Sequence, residues 1–296
     1  MTLKQLETLV WVADLGGFRR AAKRMNTTQP NVSARIAALE EVLGQRLMHR
    51  DAGSVTLTPA GEDVLAHART VLRATEDLVL AAGDAGRFQG LLRLGVTEMV
   101  AFTWLDRFLN QLQQRFPAVQ LELTVDRSVI LTEMLADRRL DLALQSAPFD
   151  RSISGALRLG DYPFVWVGAP GLDLPEGALT LTDLTRVPVL THARGTFPYD
   201  QLSAHLSGQS RGEARRITST NLAACMRLAE NGMGIACLPE VMVREALAQG
   251  RLRQLDYSWV PDPLRFSARF DADRGAAFVG QVAQMAVTED QKFRSL

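Results

Sequence analysis

Residues 26–36, NTTQPNVSARI, begin a helix with amide and hydroxyl side chains and become apolar only afterwards. The stretch before them, FRRAAKRM (18–25), predicts a short helix that ends at a turn. Residues 18–35 carry five cations and no acidic residue, although the whole chain has a formal net charge of zero. A helix, a tight turn and a second helix with a polar start form the helix-turn-helix arrangement.

In that arrangement the first turn of the second helix lies in the major groove of DNA. Gln and Asn pair with adenine edges, and Ser and Thr reach bases or phosphates. Thr28 is predicted to cap the helix, and Pro30 fits its first turn. Gln29, Asn31 and Ser33 are then the candidates to face the bases. The alternative is that Thr28 is only a cap.

Cations extend this surface on both sides of the polar turn. Arg35 lies on the same helix as the base-facing candidates. The sequence HRDAGSVTL (49–57) predicts two short strands and a tight turn, or wing, with Arg50 near its base. In the alternative interpretation these cations form an ordinary solvated face.

Pro59 opens a long helix that we expect to reach about residue 83. One apolar series runs along it at steps of three and four, and another (Leu65, Leu72 and Val79) repeats every seven residues. The members of the first series are Ala60, Val64, Ala68, Val71, Leu78 and Ala82. One stripe is compatible with packing in its own domain, but two adjacent stripes favour pairing with another helix. Residues 83–90 are predicted to be a hinge.

From residue 91 the pattern changes to strands alternating with helices. The seven strand candidates are LLRLGV, VQLELTV, LDLALQS, FVWVGA, VPVLT, GIACLP and RLRQL. Helical stretches are predicted at residues 102–116, 129–138, 221–230, 241–249 and 274–288. This alternation predicts an α/β architecture with a largely parallel sheet, divided into two small lobes.

Ligands of such domains bind beyond the carboxyl ends of the strands, at helix N-termini. Four strand ends here, including the one after RRI (215–217), carry polar residues. The candidate ligand-binding residues are Thr97, Glu98, Ser128, His192, Arg194, Thr196, Thr220 and Asn221. Hydroxyls and free N–H groups suit a small carboxylate, although Ser and Thr before helices are also ordinary caps. Glu98 either disfavours an anion or recognises an ammonium group, and Arg194 pairs with an anion or with a neighbouring acid.

Enzyme chemistry is not indicated. The four histidines lack metal-ligand spacing, and the sequence has no GxSxG motif and no Gly-rich nucleotide loop. We therefore expect no catalytic residues, no metal and no cofactor. Cys225 and Cys237 lie in apolar runs and are predicted to be buried and reduced, with a redox pair as the alternative. The chain lacks a signal-peptide pattern and a long apolar run, and is expected to be soluble and cytosolic.

The stretch FRRAAKRMNTTQPNVSARIAALEEVLGQRLMHR, followed by VTLTPAGE, resembles the N-terminal signature of LysR-type transcriptional regulators. The similarity covers residues 3–65 and continues more weakly in RLDLAL (139–144) and AENGMGIACLPE (229–240). Two positions depart from the family pattern. Ala34 precedes Arg35 where the family often has Arg, and the wing tip DAGS lacks the usual extra basic residue.

The resemblance implies a winged helix-turn-helix, mainly α-helical, at residues 1–58, and a linker or dimerisation helix and hinge at 59–90. It implies a two-lobed α/β effector domain like periplasmic binding proteins at 91–296. Lobe I is expected at about 91–161 and 266–296, and lobe II at about 162–265. The implied partners are double-stranded DNA, a small-molecule effector (a small carboxylate or amino acid), and further copies in a homodimer and homotetramer. The alternative is a small-molecule-binding protein whose N-terminal helices contact proteins.

Overall fold

A computed structural model describes residues 1–51, 54–81, 90–207, 215–273 and 277–295 of the chain. Three helices and a two-stranded hairpin form the N-terminal domain. They are α1 (Leu3–Leu15), α2 (Phe18–Arg24), α3 (Gln29–Leu43), β1 (Met48–Asp51) and β2 (Ser54–Leu57). Their apolar faces meet in one core, which includes Leu9, Val12, Val32, Ile36 and Leu39. The predicted winged helix-turn-helix is therefore confirmed.

Local sequence signals fix the ends of these helices. Thr2 and Gln5 form a reciprocal capping box at the start of α1. The turn between α2 and α3 places Asn26 in the left-handed region, at φ 48°, which Asn tolerates better than most residues. Gly44 ends α3 in the same region, at φ 67°.

Strands β1 and β2 form the wing, with Met48 paired to Leu57 and Asp51 paired to Ser54. The tip residues 52–53 lie outside the described residues, so the expectation about the wing tip is not addressed. The carboxylate of Glu40 on α3 accepts hydrogen bonds from the backbone N–H groups of Leu47 and Met48, at 2.8 and 3.3 Å. This contact fixes the start of the wing on the second helix of the motif.

Helix α4 (Pro59–Ala81) leaves the wing as the predicted linker. Leu65 and Ala68 are buried in the N-terminal core, and Leu72 packs against it. Part of the second predicted stripe is thus used within the domain. Val71 and Leu78 are 43% and 70% exposed, so an apolar series remains on the outer side of the helix.

Lobe I is built on a five-stranded sheet with the order β4-β3-β5-β12-β6. Its strands are β3 (Gly90–Val96), β4 (Val119–Val125), β5 (Leu142–Ser146), β6 (Gly155–Tyr162) and β12 (Leu264–Phe270). Its helices are α5 (Glu98–Thr103), α6 (Leu105–Arg115), α7 (Ser128–Ala136) and α12 (Ala277–Arg294). The chain returns from lobe II to complete this sheet, because β12 pairs with both β5 and β6.

Lobe II is built on a second five-stranded sheet with the order β11-β7-β10-β8-β9. Its strands are β7 (Phe164–Gly168), β8 (Val189–His192), β9 (Arg216–Ser219), β10 (Ile235–Pro239) and β11 (Arg253–Gln254). Its helices are α8 (Leu181–Leu184), α9 (Phe197–Ser207), α10 (Leu222–Glu230) and α11 (Glu240–Ala248). A buried apolar cluster runs through both lobes and joins them.

The expectation of a largely parallel sheet is wrong. Strands β12, β7 and β11 run antiparallel to their neighbours, while β3 with β4 and β5, and β8 with β9 and β10, are parallel. All seven predicted strands are present, but β6, β9 and β12 are not among them, although the end of β9 was used as a strand end, and α8 and α9 are not predicted. The helix expected at 102–116 is two helices that meet at Trp104, whose buried indole donates to the Tyr162 hydroxyl at 3.1 Å. No helix among the described residues is long and apolar enough to cross a bilayer.

Candidate functional site

The first turn of α3 exposes a polar edge. Thr28 caps the helix, with its hydroxyl accepting from the backbone N–H of Asn31 at 3.5 Å. Gln29, Pro30 and Asn31 are exposed beside it, and Ser33 is half-buried. The Asn31 amide donates to the Thr27 hydroxyl at 3.3 Å, which orients it along the turn. The turn thus offers amide and hydroxyl groups of the kind that read base edges.

The neighbouring cations divide into two groups. Arg19, Arg20 and Lys23 are exposed on α2, and Arg20 also donates a hydrogen bond to the carbonyl of Gly16 at 2.9 Å. Arg24 instead lies over the Trp11 ring, 4.2 Å from its centroid, and burial lowers the pKa of its guanidinium. Arg35 is half-buried. The side chain of Arg50 lies outside the described residues, although its backbone belongs to β1.

A cavity of about 630 Å³ opens between the two lobes. Seven of the eight predicted ligand-binding residues line it, and Arg194 does not. The seven are Thr97, Glu98, Ser128, His192, Thr196, Thr220 and Asn221. Arg194 is exposed and is followed by Gly195 at φ 74°, where the loop turns and only its neighbours face the cavity.

Ser128 and Ser146 connect two strand ends of lobe I at the cavity. The Ser128 hydroxyl accepts from the backbone N–H of Ser146 at 3.0 Å and lies 3.0 Å from the Ser146 hydroxyl. Ser146 also lines the cavity and was not predicted, although it is the last residue of β5 and the strand-end rule would have selected it. Asp150, and Asp200 in the first turn of the unpredicted α9, line the cavity as well and were not predicted.

Two polar groups in the cavity wall have no hydrogen-bond partner among the described residues. They are the hydroxyl of Thr97, which is 9% exposed, and Nε2 of His192, which is 8% exposed. Burial lowers the pKa of His192 to about 4, so its ring is neutral at physiological pH. Buried polar atoms without a partner cost free energy, so a ligand that reached these two from the cavity would gain their hydrogen bonds.

Glu98 joins the two lobes across the cavity. It begins α5 in lobe I, and its carboxylate accepts from the backbone N–H groups of Leu222 and Ala223 at 2.7 and 3.0 Å. Those N–H groups belong to the first turn of α10 in lobe II. A carboxylate is stabilised at a helix N-terminus by free N–H donors and by the helix dipole. This contact between the lobes has no signature in the sequence.

Both cysteines are buried and free. Burial is the main cause that raises the pKa of Cys225 to about 11, and the nearby charge of Glu98 adds to it. Burial also raises the pKa of Cys237 well above its ordinary value. Since the thiolate is the reactive form of cysteine, neither thiol has the environment of a redox sensor.

A winged helix-turn-helix attached through a long helix to a two-lobed domain with a polar cleft defines a ligand-responsive DNA-binding protein. Residues 3–62 match the bacterial regulatory helix-turn-helix protein of the lysR family, and residues 85–283 match the LysR substrate binding domain. The chain belongs to the LysR family and is a DNA-binding transcriptional regulator with an effector-binding domain. The resemblance and the fold class predicted from the sequence are confirmed.

One relative is a probable hydrogen peroxide-inducible genes activator from Streptomyces viridosporus. It is 34% identical over 257 residues, which are 85% of this chain and 82% of the relative. A full-length OxyR from Pseudomonas aeruginosa is similar in structure, with a TM-score of 0.63 at 21% identity, covering 98% of this chain and 95% of the other. Full-length LysG from Corynebacterium glutamicum, with bound effector Arg, has a TM-score of 0.61 at 21% identity and covers 99% of each chain. At these identities the two structures establish the fold alone.

Proposed function

We propose that residues 1–58 bind operator DNA, that residues 59–90 pair two subunits, and that residues 91–296 bind a small effector between the lobes. Lobe I would comprise about 91–161 and 266–296, and lobe II about 162–265. The effector would change the equilibrium between two arrangements of the subunits on DNA. Such a change requires that the effector bind one arrangement more tightly than the other. A regulator of this kind acts in the cytoplasm, where the chromosome lies.

The exposed first turn of α3 is the observation that carries the DNA-binding part of this proposal. Thr28, Gln29, Pro30 and Asn31 are all exposed there. The cations of α2 lie on the preceding helix of the motif, where a helix-turn-helix protein meets the phosphates. We assign base contacts to Gln29, Asn31 and Ser33, and phosphate contacts to Thr28, Arg35 and Arg50. Pro30 holds the first turn without removing an interior hydrogen bond.

Gln29→Ala is expected to weaken binding to the operator by about 1–3 kcal/mol, which is roughly a 5- to 150-fold loss. The reason is that a bidentate contact to one base is lost. Specificity at that base pair should relax as well. Fluorescence anisotropy with a set of operators substituted at each position measures both effects.

Gln113→Ala is the matched control, because Gln113 is an exposed glutamine on α6 of lobe I. It should leave DNA affinity unchanged. If Gln29→Ala bound every substituted operator as the unmodified protein does, Gln29 would have no part in base recognition. The cheapest test of DNA binding as a whole is a gel shift with the DNA upstream of the gene itself.

Helix α4 is proposed to pair two subunits into a homodimer, with dimers associating into a homotetramer. Oligomers are typical of LysR regulators. The support in this chain is the exposed apolar series that includes Val71 and Leu78, spaced by seven residues on a linker helix.

Leu78→Glu is expected to weaken the dimer about tenfold or more, because a charge would be buried in an apolar seam between helices. Light scattering after size-exclusion chromatography, over a dilution series, measures the change. Ala66→Glu is the control, since it adds the same charge at an exposed position of the same helix, on a different face from Val71 and Leu78. An unchanged dimer in Leu78→Glu would place the subunit contact elsewhere.

Reversible ligand binding, rather than thiol oxidation, is proposed as the signal. The named activity of the Streptomyces relative suggests peroxide as an alternative. In this chain, however, the two cysteines are buried and their pKa values are raised, so little thiolate is present to react with peroxide. The unpartnered polar atoms of Thr97 and His192 favour a ligand instead. Thr196, Thr220 and Asn221 are assigned to the wall that lobe II contributes.

A further inference from the structure

The position in the cleft best suited to an anion is already filled by the protein. The first two N–H groups of α10, from Leu222 and Ala223, donate to the carboxylate of Glu98. The third, from Ala224, donates to the side chain of the cap residue Asn221 at 2.6 Å. A small carboxylate arriving at this helix start would have to displace Glu98 and would find its place beside a like charge.

Charged groups around the cleft also disfavour an anion. Among the described residues, four carboxylates line it, from Glu98, Asp126, Asp150 and Asp200, against one guanidinium, that of Arg127. His192 adds no positive charge, because its buried ring stays neutral. The cavity therefore carries an excess of negative charge, which raises the local concentration of cations and lowers that of anions.

Two buried polar atoms of cavity-lining residues also favour a ligand that donates hydrogen bonds. Thr97 and His192 belong to the cavity lining and are more than nine-tenths buried, and the Thr97 hydroxyl and Nε2 of His192 lack hydrogen-bond partners among the described residues. A hydroxyl oxygen accepts hydrogen bonds, and so does a ring nitrogen of a neutral imidazole in the matching tautomer. An ammonium or guanidinium group brings several donors and no acceptor, so it suits such a site.

We propose that the effector presents a cation, a primary ammonium or guanidinium group, to Glu98, and that Glu98 excludes simple carboxylates from the start of α10. This inference rests on the proposed role of the cleft and names the class of its ligand. Glu98 would then both disfavour an anion and recognise an ammonium group, the two roles that the sequence left open. A cationic effector replaces the expected small carboxylate. Glu98 belongs to lobe I and holds lobe II, so a cation paired with it also acts on the contact between the lobes.

The test uses three probes with the same five-carbon chain and different charge. They are cadaverine with two ammonium groups, glutarate with two carboxylates, and 1,5-pentanediol with none. Binding to the full-length protein is measured by calorimetry at low salt. Cadaverine should bind at least about tenfold more tightly than the other two. Glu98→Gln keeps an acceptor for the α10 N–H groups but removes the charge, so it should lose most of this preference.

Glu133→Gln, at an exposed carboxylate outside the cavity lining, should retain the preference. Asp200→Asn, at an exposed carboxylate of the cavity lining, should weaken cadaverine binding to a smaller extent than Glu98→Gln. Preferred binding of glutarate, or an unchanged cadaverine preference in Glu98→Gln, would overturn the proposal. The proposal would also be overturned if none of the three probes bound to a protein that still retards operator DNA in a gel shift. Loss of DNA retardation in the unmodified protein would instead count against the proposed function.

Discussion

Asp14→Ala is expected to lower the stability of the chain by about 3–5 kcal/mol, because it removes the acidic centre of a largely buried ion cluster. The carboxylate of Asp14 accepts from the guanidinium groups of both Arg69 and Arg138. Its side chain is only 8% exposed, and those of the two arginines are 13% and 22% exposed. Removal of the carboxylate takes away the negative charge that lies between two guanidinium groups in a poorly solvated place.

The cluster connects three parts of the chain. Asp14 lies on α1 of the DNA-binding domain, Arg69 on the linker helix α4, and Arg138 directly after α7 of lobe I. Arg138 is held in the left-handed region, at φ 58°, which costs about 1–2 kcal/mol for a residue with a Cβ. In this backbone conformation the guanidinium of Arg138 reaches the carboxylate of Asp14. We therefore expect the substitution to loosen the DNA-binding domain from lobe I as well as to destabilise the protein.

Differential scanning calorimetry measures the loss of stability, and limited proteolysis of the folded protein measures the loosening. Asp63→Ala, at an exposed aspartate on α4, is the control and should change the stability by less than about 0.5 kcal/mol. A double-mutant cycle with Arg138→Ala should show strong non-additivity, since both substitutions disrupt one contact. Additive losses would mean that Asp14 and Arg138 are not coupled.

This ion cluster shows where prediction from the sequence ends. The helices of the DNA-binding domain could be predicted because their signals are local: the capping box at Thr2, the left-handed glycines, and the apolar spacing of α3. The pairing of Asp14 with Arg138 could not, because it depends on how two separately folded parts meet. Nothing near Asp14 in the sequence distinguishes it from an ordinary acidic residue at a helix end.

Some residues of the cleft could likewise be predicted from the sequence, and others could not. The rule that ligands bind at strand ends placed seven of its eight candidates in the cleft wall, because parallel strands place their carboxyl ends together. It also selected Arg194, which is exposed and is not in the cavity lining, and it did not select Asp200, whose helix has no clear apolar period. The mixed direction of the lobe I sheet was missed because β12 comes late in the chain, after the whole of lobe II, and that of the lobe II sheet because β7 runs antiparallel to both β10 and β11. The role of Glu98 needed the position of α10, which only the fold supplies.

Gly61→Ala is expected to destabilise the DNA-binding domain by at least about 3 kcal/mol, although helix propensity alone favours alanine by about 1 kcal/mol. Gly61 lies in the first turns of α4, where the helix crosses the start of the wing. A methyl group at this position would overlap the carbonyl oxygen of Leu47 and lie 2.9 Å from its carbonyl carbon. These are backbone atoms of a buried residue, so they cannot move aside as a flexible side chain would.

Thr58 also holds α4 against the wing, so moving the two apart to make room for a methyl group costs additional free energy. Its hydroxyl accepts from the N–H of Gly61 at 3.0 Å and donates to the carbonyl of Arg46 at 2.8 Å, while its own N–H donates to the carbonyl of Leu47 at 3.0 Å. Separating α4 from the wing would break these bonds together. Because the wing and α3 share the contact through Glu40, operator binding should fall along with stability.

Thermal denaturation and a gel shift of the same preparation measure the two effects of Gly61→Ala. Gly171→Ala is the matched control, because a methyl group there has no atom within 4 Å and the backbone is outside the left-handed region. It should be neutral to within about 0.5 kcal/mol. A Gly61→Ala protein as stable as the original would mean that α4 and the wing are separated more widely than the structure places them. The close crossing at Leu47 would then not explain why a glycine stands in the third position of the linker helix.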